Sequence, residues 1–108
     1  MDIADWRTRI DELDEQIVKL LNERAACAIS IGEIKRQTGA AIYEPRREQQ
    51  VIEHARKANP GPLAGEQVQD IYERIMDIMR QIQQEEIAPK QPTSEVLGDT
   101  ELDSEVND

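Results

Sequence analysis

Arg24 and Lys35 stand eleven residues apart in the stretch "NERAACAISIGEIKRQTG". Eleven residues of α-helix turn about 20° past three full turns and advance roughly 16 Å, so both cations face one side with the small Ala28 between them. Arg24 falls inside an apolar seam that runs Ile3, Trp6, Ile10, Leu13, Ile17 and Leu20 and resumes at Cys27, Ile31 and Ile34. A guanidinium left buried without a partner is strongly destabilising, so this position calls for an anion. Two partners are open. One is a carboxylate on another helix; the other is a small anionic ligand lying between Arg24 and Lys35.

Two later segments repeat the departure. Glu44, Glu48, Val51 and Ala55 follow a four, three, four spacing that turns Glu48 inward, with Arg47 beside it. Gln83 follows Met76 by seven and Met79 by four, extending an apolar stripe with an amide. Three segments that each carry a polar group on the inner face predict a shared polar pocket. Arg7 precedes Arg24 by 17 residues, which is about 25 Å along a helix and some 100° around it. It cannot reach the same small ligand from the same chain. Either it is a solvated surface charge, or two copies pair their first helices antiparallel and Arg7 enters the partner's pocket.

No constellation of Ser, Cys or His for nucleophilic catalysis and no metal-ligand spacing is evident. Cys27 is the only cysteine and His54 the only histidine, which excludes an intramolecular disulfide or a thiolate-rich metal cluster. Cys27 reads as a small hydrophobe on a helix face. His54, flanked by Glu53 and Arg56, reads as an exposed helix residue.

The elements that must hold these groups are helices. The first is expected from about Ile3 to Gln37, stopped at "TGA", where Gly39 can turn left-handed. The second opens at Pro45, suited to a first helical position, behind Glu44, which complements the helix N-terminus; it ends by "NPGP". The third covers roughly Ala64 to Glu86, with Val68, Ile71, Tyr72, Ile75, Met76, Met79 and Ile82 on one side. Nothing reads as a strand, so the fold class is all-α. A first helix of this length is roughly 52 Å long, whereas a compact chain of residues 1–88 has a radius of gyration of about 12 Å. The first helix must overhang its own globule, and a second copy is the simplest cover for the overhanging stripe. The expected architecture is an intertwined helical homodimer.

Length bounds the chain at one domain, residues 1–88, followed by an acidic extension, 89–108. Residues 91–108 hold six acids and no Lys or Arg, and they read as a disordered, solubilising tail. The net charge of −10 argues against nucleic acid or an anionic membrane as partner. No apolar run suits a membrane span or a signal peptide, which points to a cytoplasmic protein.

The run "RTRIDELDEQIVKLLNERAACAISIGEIK", then "YEPRREQQVI", then "IYERIMDIMRQIQ" resembles the all-helical chorismate mutases over about residues 3–87. The resemblance implies a homodimer of three-helix chains with two active sites, each completed by an arginine of the other subunit. Carried over by position, that arginine is Arg7, and the other groups at the substrate are Arg24, Lys35, Glu44, Arg47, Glu48 and Gln83. The family commonly has serine where this chain has Met79, and often aspartate where it has Glu44, which implies a contribution of Glu44 through its backbone. The implied reaction is the rearrangement of chorismate to prephenate in phenylalanine and tyrosine biosynthesis, with no cofactor and no metal. Arg24 and the partner's Arg7 would clamp the two carboxylates, Lys35 and Gln83 would donate to the ether oxygen, Glu48 would accept from the ring hydroxyl, and Arg47 would orient Glu48. On this reading Arg24 interrupts the seam because its partner is the substrate. Two alternatives stand beside it: release of pyruvate from isochorismate on the same fold, and a non-catalytic helical dimer that binds a pathway ligand or a partner enzyme. Association with other aromatic-pathway enzymes is open, and any coupling to a dehydratase or dehydrogenase is expected to be intermolecular.

Overall fold

The computed structural model describes residues 1–87; the extension expected over residues 89–108 lies outside the described residues. Three helices follow in order, α1 (Ile3–Thr38), α2 (Pro45–Ala58) and α3 (Gly65–Ile87). Each begins and ends for a local reason. Asp2 caps α1: its carboxylate accepts from the Asp5 N–H at 2.9 Å, and the Asp5 carboxylate accepts from the Asp2 N–H at 3.1 Å. This reciprocal pair satisfies two of the donors that a helix start leaves without partners. At the other end Gly39 adopts φ 75° and donates its N–H to the Lys35 carbonyl at 2.8 Å. That left-handed conformation ends the helix and favours a residue without Cβ. Pro45 opens α2. The Asn59 side chain then folds the α2–α3 connection, donating to the Leu63 carbonyl and accepting from the Gly61 N–H.

The packing is uneven. Helix α3 packs against both α1 and α2, whereas α1 and α2 do not pack against each other. Gly32 lets α1 approach α3 closely, since a Cβ there would stand 3.4 Å from the Gln83 Cα and from the Glu86 Cβ. Near the end of the pair, Arg36 donates to the Glu86 carbonyl at 3.5 Å. The buried apolar side chains are few: Ala28, Ile52, Val68, Met76 and Met79.

The apolar seam of α1 does not supply that core. Its buried positions are Ala28, Gly32 and Lys35, while Ile3, Trp6, Ile10, Leu13, Ile17, Leu20, Ile31 and Ile34 are exposed. Cys27 is exposed as well. The seam is therefore rotated away from α3, and the half of α1 before Leu21 overhangs in water. Ile71, expected on the inner side of α3, is likewise exposed. The radius of gyration is 17.5 Å and the longest dimension 52 Å, against about 12 Å for a compact chain of this size. Among the described residues no helix is long and apolar enough to cross a membrane.

Candidate active site

An open cavity of about 320 Å³ lies where the second half of α1, the start of α2 and the second half of α3 meet. Arg24, Ala28 and Lys35 line it from α1, Arg47, Glu48 and Val51 from α2, and Met76, Arg80 and Gln83 from α3, with Glu44 at the edge. Six of the residues expected at a shared pocket thus come together: Arg24, Lys35, Glu44, Arg47, Glu48 and Gln83. The volume suits a small organic molecule. Four cations and two carboxylates on the wall leave an excess of positive charge, so the cavity favours an anion.

Lys35 is the most enclosed of the cations, at 8% exposure. Its ammonium donates to the Ile42 carbonyl at 3.0 Å and pairs with the Glu44 carboxylate at 2.7 Å. The hydrogen bond from Lys35, and then its charge, hold the Glu44 carboxyl below its ordinary value. The Glu44 side chain is thus engaged with Lys35 in this structure. As N-cap of α2 it makes no side-chain capping bond; a longer side chain than aspartate reaches past the helix end to Lys35 instead. Gln83 is buried, and its amide donates to the Ala28 carbonyl at 3.2 Å. That carbonyl sits in mid-helix, and its second lone pair can take this additional bond.

Arg24 is half-buried rather than enclosed, which leaves its guanidinium partly hydrated. Among the described residues no ion pair or hydrogen bond engages the guanidinium of Arg24, Arg47 or Arg7. Arg7 lies in the exposed first half of α1, about 25 Å along the helix from Arg24. It takes no part in the cavity of its own chain.

Two placements differ from expectation. Met79 is buried but does not line the cavity, and Met76 takes the apolar position on the α3 wall. Met79 lies about one turn and Met76 about two turns before Gln83, and the crossing with α1 decides which side of the stripe faces the opening. The second difference concerns Glu48. Its carboxylate is held by Arg80, with Nε to Oε2 and Nη2 to Oε1 both 3.0 Å, and not by the neighbouring Arg47. Adjacent residues on one helix point about 100° apart, so Arg47 cannot easily fold back on Glu48, whereas Arg80 faces it across the α2–α3 contact. Arg80 was legible only as the residue four after Met76 and three before Gln83. That spacing places it on the cavity face, but a charge on an amphipathic helix ordinarily reads as solvated.

These features define an all-helical protein with a preformed cationic cavity for a small anion. The chain belongs to the chorismate mutase type II family, whose model matches residues 6–84. It is 40% identical over 75 residues to the bifunctional chorismate mutase/prephenate dehydratase of Pseudomonas aeruginosa, a match covering 65% of this chain and 20% of the relative. The chain thus spans about one fifth of that bifunctional relative. It is 42% identical over 55 residues to the chorismate mutase of Methanocaldococcus jannaschii, covering 51% of this chain and 56% of that one. The fold is similar to that of the Helicobacter pylori chorismate mutase solved with prephenate, with a TM-score of 0.72, 29% identity and coverage of 79% and 92% of the two chains.

Proposed function

We propose that this chain converts chorismate to prephenate by an intramolecular 3,3-sigmatropic rearrangement, as a step toward phenylalanine and tyrosine. The observation that carries the reading is the gathering of Arg24, Lys35, Arg47, Glu48 and Gln83 around one cavity in a chain of this family. The reaction breaks a C–O bond and forms a C–C bond within one molecule, so no nucleophile or proton donor is consumed. What the protein supplies is confinement of the flexible dianion in its compact form and donors aimed at the ether oxygen as charge develops there.

The side chains divide that work by chemistry. The half-buried guanidinium of Arg24 offers two parallel hydrogen bonds to a substrate carboxylate. Lys35 and Gln83 are the donors for the ether oxygen. Both already hold protein acceptors, Glu44 and the Ala28 carbonyl, which fix their positions before substrate arrives. Glu48 accepts from the ring hydroxyl, and Arg47 adds positive potential at the rim. Residues 1–88 form the catalytic domain and 89–108 an acidic extension of a cytoplasmic protein.

A second copy of the chain completes the assembly. The exposed stripe from Ile3 to Leu20 is too long and too apolar to remain in water. An antiparallel partner laid on it brings Arg7 of one chain toward the cavity of the other, supplying a clamp for the second carboxylate. The test is incubation with chorismate, following loss of its ultraviolet absorbance and appearance of prephenate. No turnover of chorismate overturns the reading, and production of pyruvate from isochorismate alone would replace it with the lyase.

A further inference from the structure

Glu48 faces a difficulty built into its position. It shares the cavity wall with Arg24 and Lys35 from α1 and with Arg47 from its own helix. A mobile carboxylate among them would swing onto one of these cations and compete with the anion the cavity is built to hold. Arg80 prevents this by geometry. Its Nε and Nη2 each stand 3.0 Å from a different Glu48 oxygen, a two-point fork that fixes both the direction and the rotation of the carboxylate plane. The pair is well shielded, with the two side chains 27% and 23% exposed, so it is more than a solvated surface contact.

Arg80 is itself held from behind. Its Nη2 lies 3.2 Å from an Asp77 carboxylate oxygen, and its guanidinium carbon lies 5.2 Å from the centre of the Tyr43 ring. The hydrogen bond to Glu48, above all else, strengthens the hold of Arg80 on its proton. Arg80, Glu48 and Met76 line both the cationic cavity and a second hollow of about 450 Å³, whose other lining residues include Tyr43, Ile52, Glu73 and Asp77. The Arg80–Glu48 pair thus forms part of the partition between the two.

The geometry points to Arg80 as a positioning residue: it holds the Glu48 carboxylate away from the substrate-binding cations and in the one orientation from which its remaining lone pairs accept the substrate's ring hydroxyl. The assignment rests on the mutase reading of the cavity. Arg80 does not touch the reacting atoms and acts through Glu48.

The experiment is a double-mutant cycle in the full chain with chorismate as substrate. Arg80→Met keeps the aliphatic stem and removes the fork; kcat/KM falls by about 100-fold, the scale of a misplaced catalytic contact. Arg80→Lys keeps the charge with a single donor and recovers part of that loss, which guards against a folding failure in the first variant, checked by far-ultraviolet circular dichroism. In a Glu48→Gln background, adding Arg80→Met causes little further loss, because the group that Arg80 positions is already gone. A merely structural role gives losses that multiply. Wild-type kcat/KM in folded Arg80→Met, or multiplicative losses in the cycle, overturns the proposal alone. Absence of chorismate turnover in the wild-type protein overturns the mutase reading and this assignment with it.

Discussion

Lys35 carries the sharpest single-residue test, because its ammonium is nearly enclosed while its partner Glu44 is half exposed. Removing the ammonium leaves a carboxylate that water can still reach, so little folding stability depends on it, whereas under the proposed mechanism the ether oxygen of the substrate would lose a preorganised donor. Lys35→Ala is expected to lower kcat by about 10²- to 10³-fold, the effect of removing one such donor, with unchanged helical content. The pair also has a pH signature. Glu44 binds its proton less tightly in the folded chain than when unfolded. Its contribution to stability is therefore fully present above the ordinary glutamate value and fades as pH falls through the lower folded value. Glu44→Gln should flatten the acid end of a plot of melting temperature against pH, and an unchanged slope would show that the pair contributes nothing. The inward positions of Lys35, Glu48 and Gln83 were readable from spacing alone. The occupant of each hydrogen bond was not: Lys35 to Glu44 requires the α1–α2 connection to fold back, and Glu48 to Arg80 joins residues 32 apart in sequence.

At the scale of elements, helix boundaries follow from local chemistry, and they were legible. The expected spans of 3–37 and 64–86 differ from α1 and α3 by a single residue at each end that moved, and the second helix begins at Pro45 as its sequence indicates. Gly39 shows why such signals are strong. Its φ of 75° belongs to the left-handed region, and no side-chain or backbone atom lies within 4 Å of where a Cβ would stand. Gly39→Ala therefore probes backbone conformation with no steric clash, and it should cost about 1–2 kcal/mol, measured by chemical denaturation. A loss near zero would mean that the α1 terminus frays before the chain unfolds. What periodicity could not give is the direction a stripe faces. Ile31 and Ile34 share the seam of Ile17 and Leu20, yet the close approach at Gly32 turns the Ala28, Gly32 and Lys35 side toward α3. An apolar residue every third or fourth position announces that something covers it, not whether that cover is the same chain.

The whole molecule poses the question of what the overhanging half of α1 is for. A chain whose buried apolar side chains amount to Ala28, Ile52, Val68, Met76 and Met79, with Trp6, Ile10, Leu13 and Ile17 in water, leaves much of its available hydrophobic stabilisation unused. In the proposed dimer an antiparallel second copy would use it, and the same pairing would carry Arg7 across to the partner's cavity. This predicts complementation between two inactive chains. Arg7→Ala homodimers lack the shared arginine at both sites, and Arg24→Ala homodimers lack the resident one. A heterodimer of the two holds one site with both native arginines and one site with neither. Equal amounts of the variants, unfolded together and refolded, give half heterodimers by random pairing, so roughly a quarter of wild-type activity should return. Verified heterodimers that remain inactive would remove Arg7 from the neighbouring site while leaving the cavity residues of the single chain in place, and a protein that sediments as a monomer would leave the stripe on α1 without the partner argued for it.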